Sequence, residues 1–490
     1  NIHGIQIAGT VGTGLFLGSG QAISGAGPVG ALFAYIFVGS VAFASLCSIG
    51  EMTSMAPVTG SFPYYASRWV DQALGFAVCL VTIPSEVSGA LLLLSIWNVE
   101  HIKVYTVLIL GVIFLVNIFG VKHCSSMFFP YLPAAVIMIF ILIVIGFVID
   151  LGGAPDHVRL GFKYWINPGP LTANVPPVNK FLGILSAIVQ ASAAYQGIEI
   201  STIAAAETEN PRRNVARAMK KAFFRISIFY IAGVFVAGLI VPSTDPHLLQ
   251  PIQTVYASPF VIGMINSGFG LPVVSVINAG LLCSAISAGN SFLFSASRIL
   301  YGLALRGQAP WIFAITDRRG VPVPAVLFAA AFGFLAFINI PDVFQSVLRL
   351  WFYHLAAVGE LVTWAIINLT YLRYYRGMAV QLRDRKELIY WSRFQPWLAA
   401  WGLFWCIAFI CLGGYPVFRG FQKLDRVFIA YYLLPPTILG LFGFWKLLHD
   451  TFIWHADEMN FVSSIPTIDE TEQPVPPPRG FWERIADRVF

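Results

Sequence analysis

Long apolar runs separated by short polar stretches fill most of this chain. Read as spans, they fall at about 4–25, 29–50, 74–97, 103–121, 129–151, 181–205, 223–242, 270–302, 323–340, 346–373, 396–414 and 427–449. A helix needs roughly 20 apolar residues to cross a bilayer. The pattern therefore predicts an all-α polytopic membrane protein with about 12 transmembrane helices over residues 1–449. A polar tail, 450–490, follows; with its Pro-rich run from Pro474 to Pro478 it is expected to hold weak structure. The loop 152–179 carries Pro155, Pro168, Pro170, Pro176 and Pro177 and is expected to be irregular and external.

Two spans break the pattern. The first contains Gly9-Thr10-Val11-Gly12-Thr13-Gly14-Leu15-Phe16. Each Gly costs a helix interior about 1 kcal/mol relative to Ala. Unpaired backbone at membrane depth is tolerated only where it lines a cavity or is covered by protein. The stretch is therefore read as a helix broken in mid-membrane; close helix packing through small residues is the plainer alternative. A phosphate loop fails on context, because no Lys-Ser or Lys-Thr follows and no strand precedes.

The second anomaly lies in span six, Ala191-Ser192-Ala193-Ala194-Tyr195-Gln196-Gly197-Ile198-Glu199-Ile200. A charged residue at bilayer depth is costly and points to function by default; a Glu paired to a neighbouring helix is the structural alternative. Spans one and six each open a block of five, and span six enters from the opposite side. Discontinuous helices at matching positions mark the binding site of inverted-repeat transporters. The predicted repeats are about 1–151 and 181–373, with helices eleven and twelve over 396–449.

These breaks carry a chemical expectation. A half-helix starting near Leu15 offers free N–H groups and a positive dipole end, which suit a carboxylate. A half-helix ending near Tyr195 offers free carbonyls, which suit an ammonium. The candidate substrate-binding residues are Gly9, Thr10, Val11, Gly12, Thr13 and Gly14 with Tyr195, Gln196, Gly197 and Ile198. Together they fit the common part of an α-amino acid. Glu199 and Glu86 are the candidates for proton coupling, since a carboxyl group taken out of water favours its neutral form; for Glu86 a structural ion pair is an equal alternative. Asn290, Ser291 and Glu207 are pathway or gate candidates, with helix-packing contacts or a solvated turn as the alternatives. Glu51, at the end of span two, is read as a structural partner for a loop arginine.

Composition sharpens this picture. Hydrophobic residues make up 57% and charged residues 11%, against about 25% charged in soluble domains. The net charge of +6 does not point to nucleic acid, because the basic residues cluster in alternate loops. Arg212, Arg213, Arg217, Lys220, Lys221 and Arg225 form one such cluster; Arg373, Arg376, Arg383, Arg385, Lys386 and Arg393 form another. The positive-inside rule puts these loops and both termini in the cytosol. The six cysteines show no metal-site spacing, and neither a cofactor nor a metal is expected. No His-Glu-x-x-His or Gly-x-Ser-x-Gly motif supports an intramembrane enzyme.

At the first-span glycines the chain resembles the fungal amino acid permeases of the amino acid–polyamine–organocation superfamily. Further matching stretches are Gly50-Glu51-Met52, Pro57-Val58-Thr59-Gly60-Ser61-Phe62, Ala204-Ala205-Ala206-Glu207-Thr208-Glu209-Asn210-Pro211-Arg212, Ser287-Ala288-Gly289-Asn290-Ser291 and Gly307-Gln308-Ala309-Pro310, in family order. The resemblance implies twelve spans, a five-plus-five inverted repeat of the leucine-transporter kind, and proton-driven amino acid uptake at a fungal plasma membrane. The expected partners are an amino acid substrate, protons and the lipid bilayer. A non-transporting amino acid sensor on the same fold is the alternative. Three departures stand out. Span three passes from Gly75-Phe76-Ala77 to Pro84-Ser85-Glu86 without the usual intervening stretch. Span five lacks a Lys at Leu132-Pro133-Ala134-Ala135-Val136. Span ten carries Arg349, His354 and Glu360 where such permeases are more apolar.

Overall fold

The structure is a computed structural model that describes residues 13–16, 18–79, 102–119, 132–171, 180–203, 210–249, 258–333, 342–414, 431–463 and 465–472. Among these residues every regular element is helical. The principal helices are α1 (Thr13–Phe16), α2 (Gly18–Met55), α3 (Ser61–Trp69), α4 (72–79), α5 (Ile102–Phe119), α6 (Leu132–Asp150), α7 (Lys180–Ala194), α8 (Ile200–Ile203), α9 (Pro211–Ile240), α10 (Leu271–Leu305), α11 (Val323–Gly333), α12 (Asp342–Val380), α13 (Trp397–Gly413) and α14 (Leu434–His449).

By length and composition, three described stretches are apolar enough to cross a membrane: Gly18–Met55, Leu271–Leu305 and Leu355–Val380. Shorter apolar helices lie at Leu110–Phe119, Ile137–Asp150, Lys180–Ala194, Ile226–Ile240 and Trp397–Gly413.

Helix α2 is the central post. It packs against α7, α9, α12 and α13. Its contact with α7 is close because both helices carry glycine there. A Cβ placed on Gly183 would stand 2.4 Å from the Gly25 carbonyl oxygen. Small residues that admit such backbone approach are the usual means of helix association where lipid removes the hydrophobic drive. The outer helices show the complementary pattern: Leu108, Val112 and Leu115 of α5, Phe140 and Val144 of α6, and Leu439, Phe444 and Leu447 of α14 are exposed. Exposed apolar faces on this scale mark contact with a membrane or partner.

The boundary expected between spans one and two lies inside α2, where Gly27 leaves the helical conformation with φ 78 and ψ 171 and separates two helical halves. The left-handed φ is open to Gly, and Pro28 beside it cannot complete the helical bond. Two expectations change. The helix of span seven, α9, begins at Pro211 rather than near 223, because Pro pre-sets the first helical turn and the basic run continues it. The beginning of the tail is ordered. Arg68 donates to the carbonyls of Asn460 (2.7 Å) and Ser463 (2.5 Å). Gln381 donates to the Met459 carbonyl at 2.7 Å. The Phe461 ring stacks on Trp69 with centroids 5.7 Å apart. Arg212 seals the same face. It donates to the Ser54 carbonyl (3.0 Å), the Met55 carbonyl (3.2 Å) and the Pro466 carbonyl (2.6 Å). It thereby satisfies α2 carbonyls that a helix end leaves unpaired. Burial pushes the Arg212 guanidinium below its ordinary pKa, and the Glu472 carboxylate opposes that shift.

Candidate functional site

Helix six breaks where its sequence predicts. Helix α7 ends at Ala194, residues 195–199 form a turn, and α8 resumes at Ile200. Gly197 takes φ 91, a left-handed conformation that a side chain would oppose. The freed backbone finds replacement partners. Tyr230 on α9 donates its hydroxyl to the Ala194 carbonyl at 2.8 Å. Thr202 donates to the Glu199 carbonyl at 2.7 Å, and its hydroxyl pairs with that of Ser61 at 2.8 Å. The break is thus a built feature held from three neighbouring elements.

Tyr195 lies completely buried in a ring cluster. Its centroid is 6.3 Å from Tyr35 and 4.8 Å from Tyr230, and its hydroxyl donates to the Tyr35 carbonyl at 3.2 Å. Gln196 and Ile198 are buried beside it, and the Gln196 Nε2 makes no hydrogen bond. Helix α1 packs against α7, α9 and α10, with Leu15 and Phe16 buried. The fold therefore brings the end of the first glycine-rich stretch to the first half of helix six. Thr13 and Gly14 belong to α1; Gly9, Thr10, Val11 and Gly12 lie outside the described residues, as do Glu86 and Glu207.

Glu199 is 1% exposed. Neither of its carboxyl oxygens closes a hydrogen bond of ordinary geometry. It faces Glu360 and Trp364 of α12, which are 2% and 0% exposed, and the backbone N–H groups of Gly197 and Glu199. Glu360 is visible in the sequence only as an acid in an apolar run; its meeting with Glu199 is not. The signal available is its α12 position, one turn from Trp364 and two from Asn368 on the same helix face.

The other candidates sit in ordinary packing contacts. Asn117 of α5 donates to the Asn290 side chain at 2.8 Å, and Ser291 donates to the Ser287 carbonyl at 3.1 Å. Glu51 has the loop arginine expected of it. Arg385 approaches with its Nε at 2.6 Å and one terminal nitrogen at 3.1 Å. Tyr371 donates at 2.9 Å and the Ser392 backbone N–H at 3.1 Å. Among the described residues no group of three or more His, Cys, Asp or Glu is placed to hold a metal.

A model of the amino acid permease family matches residues 1–455. The dicarboxylic amino acid permease of Saccharomyces cerevisiae is 34% identical over 491 residues, covering 96% of this chain and 80% of that protein. A proline-specific permease of Emericella nidulans is 32% identical over 506 residues, covering 99% and 91%. The lysine-specific permease of Saccharomyces cerevisiae is 32% identical over 497 residues, covering 98% and 80%.

Proposed function

The chain belongs to the amino acid permease family, and we propose that it is a secondary active transporter importing an amino acid with a proton by alternating access. The observation that carries this reading is the break in helix six, packed beside the end of the first helix. Such broken helices supply both poles of a zwitterion site. In this proposal the N–H groups of Gly9 to Gly14 receive the substrate carboxylate. The carbonyls ending α7 receive the ammonium, and Tyr195, Gln196 and Ile198 select the R group.

The proposed layout has twelve spans, with inverted repeats over about 1–151 and 181–373, helices eleven and twelve over 396–449, and a tail over 450–490. Both termini lie in the cytosol of a cell whose plasma membrane holds the protein. Glu199 is the first candidate for the coupling proton and Glu86 the second. Asn290, Ser291 and Glu207 serve as pathway or gate positions. The relatives named above are called dicarboxylic, proline-specific and lysine-specific at closely similar identity, so overall similarity does not select the R group.

The test is uptake of radiolabelled amino acids into liposomes holding the purified protein, with and without an imposed pH gradient. Accumulation above the external concentration is expected only with the gradient, inside alkaline. Binding without accumulation under any gradient would overturn transport and leave a sensor. Glu199→Gln keeps size and hydrogen bonding but cannot ionise. It should lose gradient-driven accumulation and retain exchange of internal for external substrate. Retained accumulation with unchanged pH dependence would remove Glu199 from the mechanism.

A further inference from the structure

Two acids meet in the interior of this protein. Glu199 stands in the turn that breaks helix six, and Glu360 stands within α12; their carboxyl groups face each other. Both are almost wholly enclosed. Two carboxylates in contact, away from water, cannot both ionise without a large penalty. Acids in such contact share their protons and lose them as a pair.

A second observation points to what the pair binds. The Trp364 indole is 0% exposed, and its N–H faces the Glu199 carboxyl, as do the backbone N–H groups of Gly197 and Glu199. An indole N–H only donates. It is therefore suited to one negative charge beside it, while a proton between the two carboxyls satisfies the other.

The charged side chains of the surrounding elements are engaged elsewhere. Glu51 of α2 holds Arg385. Arg68 of α3 is bound to Asn460 and Ser463. Arg298 of α10 lies over the Phe294 ring, and Arg306 lies over Tyr64. Arg373 of α12 donates to the Trp454 carbonyl. Cys406 of α13 is a further titratable group, set against Glu360. Arg349 and His354 also belong to α12; their side chains are outside the described residues.

We propose that Glu360 is the second acid of a shared-proton pair with Glu199, and that the one proton held between them is the proton moved in transport. The proposal rests on the assignment of Glu199 to proton coupling. Water on the outer side supplies the proton, and an O–H bond forms on one carboxyl oxygen. On the inner side that bond breaks and the proton returns to water. The two carboxylates left behind are tolerable only while water reaches them, because burying unpaired charge is costly. The empty site therefore turns outward with water in it, and the pair reloads on the outer side. Return without the proton is what couples the proton to the cycle.

The experiment compares the parent protein, Glu360→Gln and Glu199→Gln in liposomes, reading gradient-driven uptake against pH together with substrate exchange. Exchange and elution behaviour in detergent report the fold. In Glu360→Gln, exchange is expected to persist. The alkaline limb of its uptake profile should move to lower pH by about one unit, because the proton is no longer held against a second developing charge. An uptake profile superimposable on the parent, with accumulation lost in Glu199→Gln, would overturn the pairing and leave Glu199 acting alone. Accumulation retained in Glu199→Gln would overturn both assignments. Should Glu360→Gln not fold, infrared absorption of protonated carboxyl groups replaces it, comparing parent and Glu199→Gln in H2O and D2O. A shared proton predicts a parent band that shifts in the variant. Identical spectra would overturn the pairing.

Discussion

Glu51 and Glu199 are both buried acids of helical segments, and their surroundings are opposite. Glu51 receives Arg385 on two oxygens, the Tyr371 hydroxyl and the Ser392 N–H. Glu199 meets another acid, an indole and the backbone N–H groups of its own turn, with no cation beside it among these, and its oxygens close no bond of ordinary geometry. A charge that is fully received holds parts of a fold together. A carboxyl group that is not fully received is set up to gain and lose a proton. The Glu51 site joins α2, α12 and the loop after α12, so its loss should be felt as instability. The Glu199 site should be felt in coupling.

The largest expected effect tests the structural member. Glu51→Ala leaves the Arg385 guanidinium, whose side chain is 15% exposed, without its carboxylate. Breaking one side of a buried pair costs about 3–5 kcal/mol; the partial exposure of Arg385 places this case toward the lower end. The thermal melt of detergent-purified protein should fall steeply, and less protein should reach the membrane. A melt equal to the parent's would collapse the contrast between the two acids.

Gly39→Ala probes the frame around the broken helix. The added Cβ would lie 2.9 Å from the Tyr195 hydroxyl oxygen, and Tyr195 is too enclosed to swing away. Overpacking of this kind costs about 1–3 kcal/mol. Uptake should fall along with the melting temperature, because Tyr195 opens the turn. A parent-like melt with parent-like uptake would show that the ring cluster does not hold the break.

Tyr230→Phe removes a single hydroxyl. The Ala194 carbonyl then loses its partner across the helix gap, at a cost of about 1 kcal/mol. The expected outcome is a small drop in the melt and a weakened apparent affinity for substrate in exchange assays. An unchanged affinity would separate that carbonyl from the ammonium site.

Glu199→Gln should have the smallest effect on stability, below about 1 kcal/mol, since the replaced oxygens close no ordinary hydrogen bond. A large drop in the melt would instead make Glu199 a structural acid like Glu51, and the comparison would fail from its other side.

Much of this molecule is legible along the chain. The apolar runs specify helices of membrane character. Gly197, with Gln196 before it and Glu199 two residues on, locates the break inside an otherwise apolar span. Glu51 near the end of span two, with arginines in the loops, announces a structural pair. The order of short motifs identifies the family, in agreement with the match over residues 1–455.

Other features are not legible there, for reasons of geometry. Hydropathy averages over a window, so it starts the seventh span near 223 where the helix already begins at Pro211. The polar residues after Asp450 look like a loose tail, yet backbone carbonyls at 460, 463 and 466 meet Arg68 and Arg212. Composition does not record such receptors.

The sequence by itself determined which segments are helices, where one of them breaks, and which acids lie in apolar surroundings. Those properties depend on neighbours along the chain. Which acid receives a cation and which faces a second acid was decided only by tertiary structure. Arg385 lies 334 residues from Glu51, and Glu199 and Glu360 stand on helical segments well separated along the chain. The faces that meet depend on the crossing of α7 and α12 against α2, and that crossing is set by small residues at the contacts and by the packing of the helices between them.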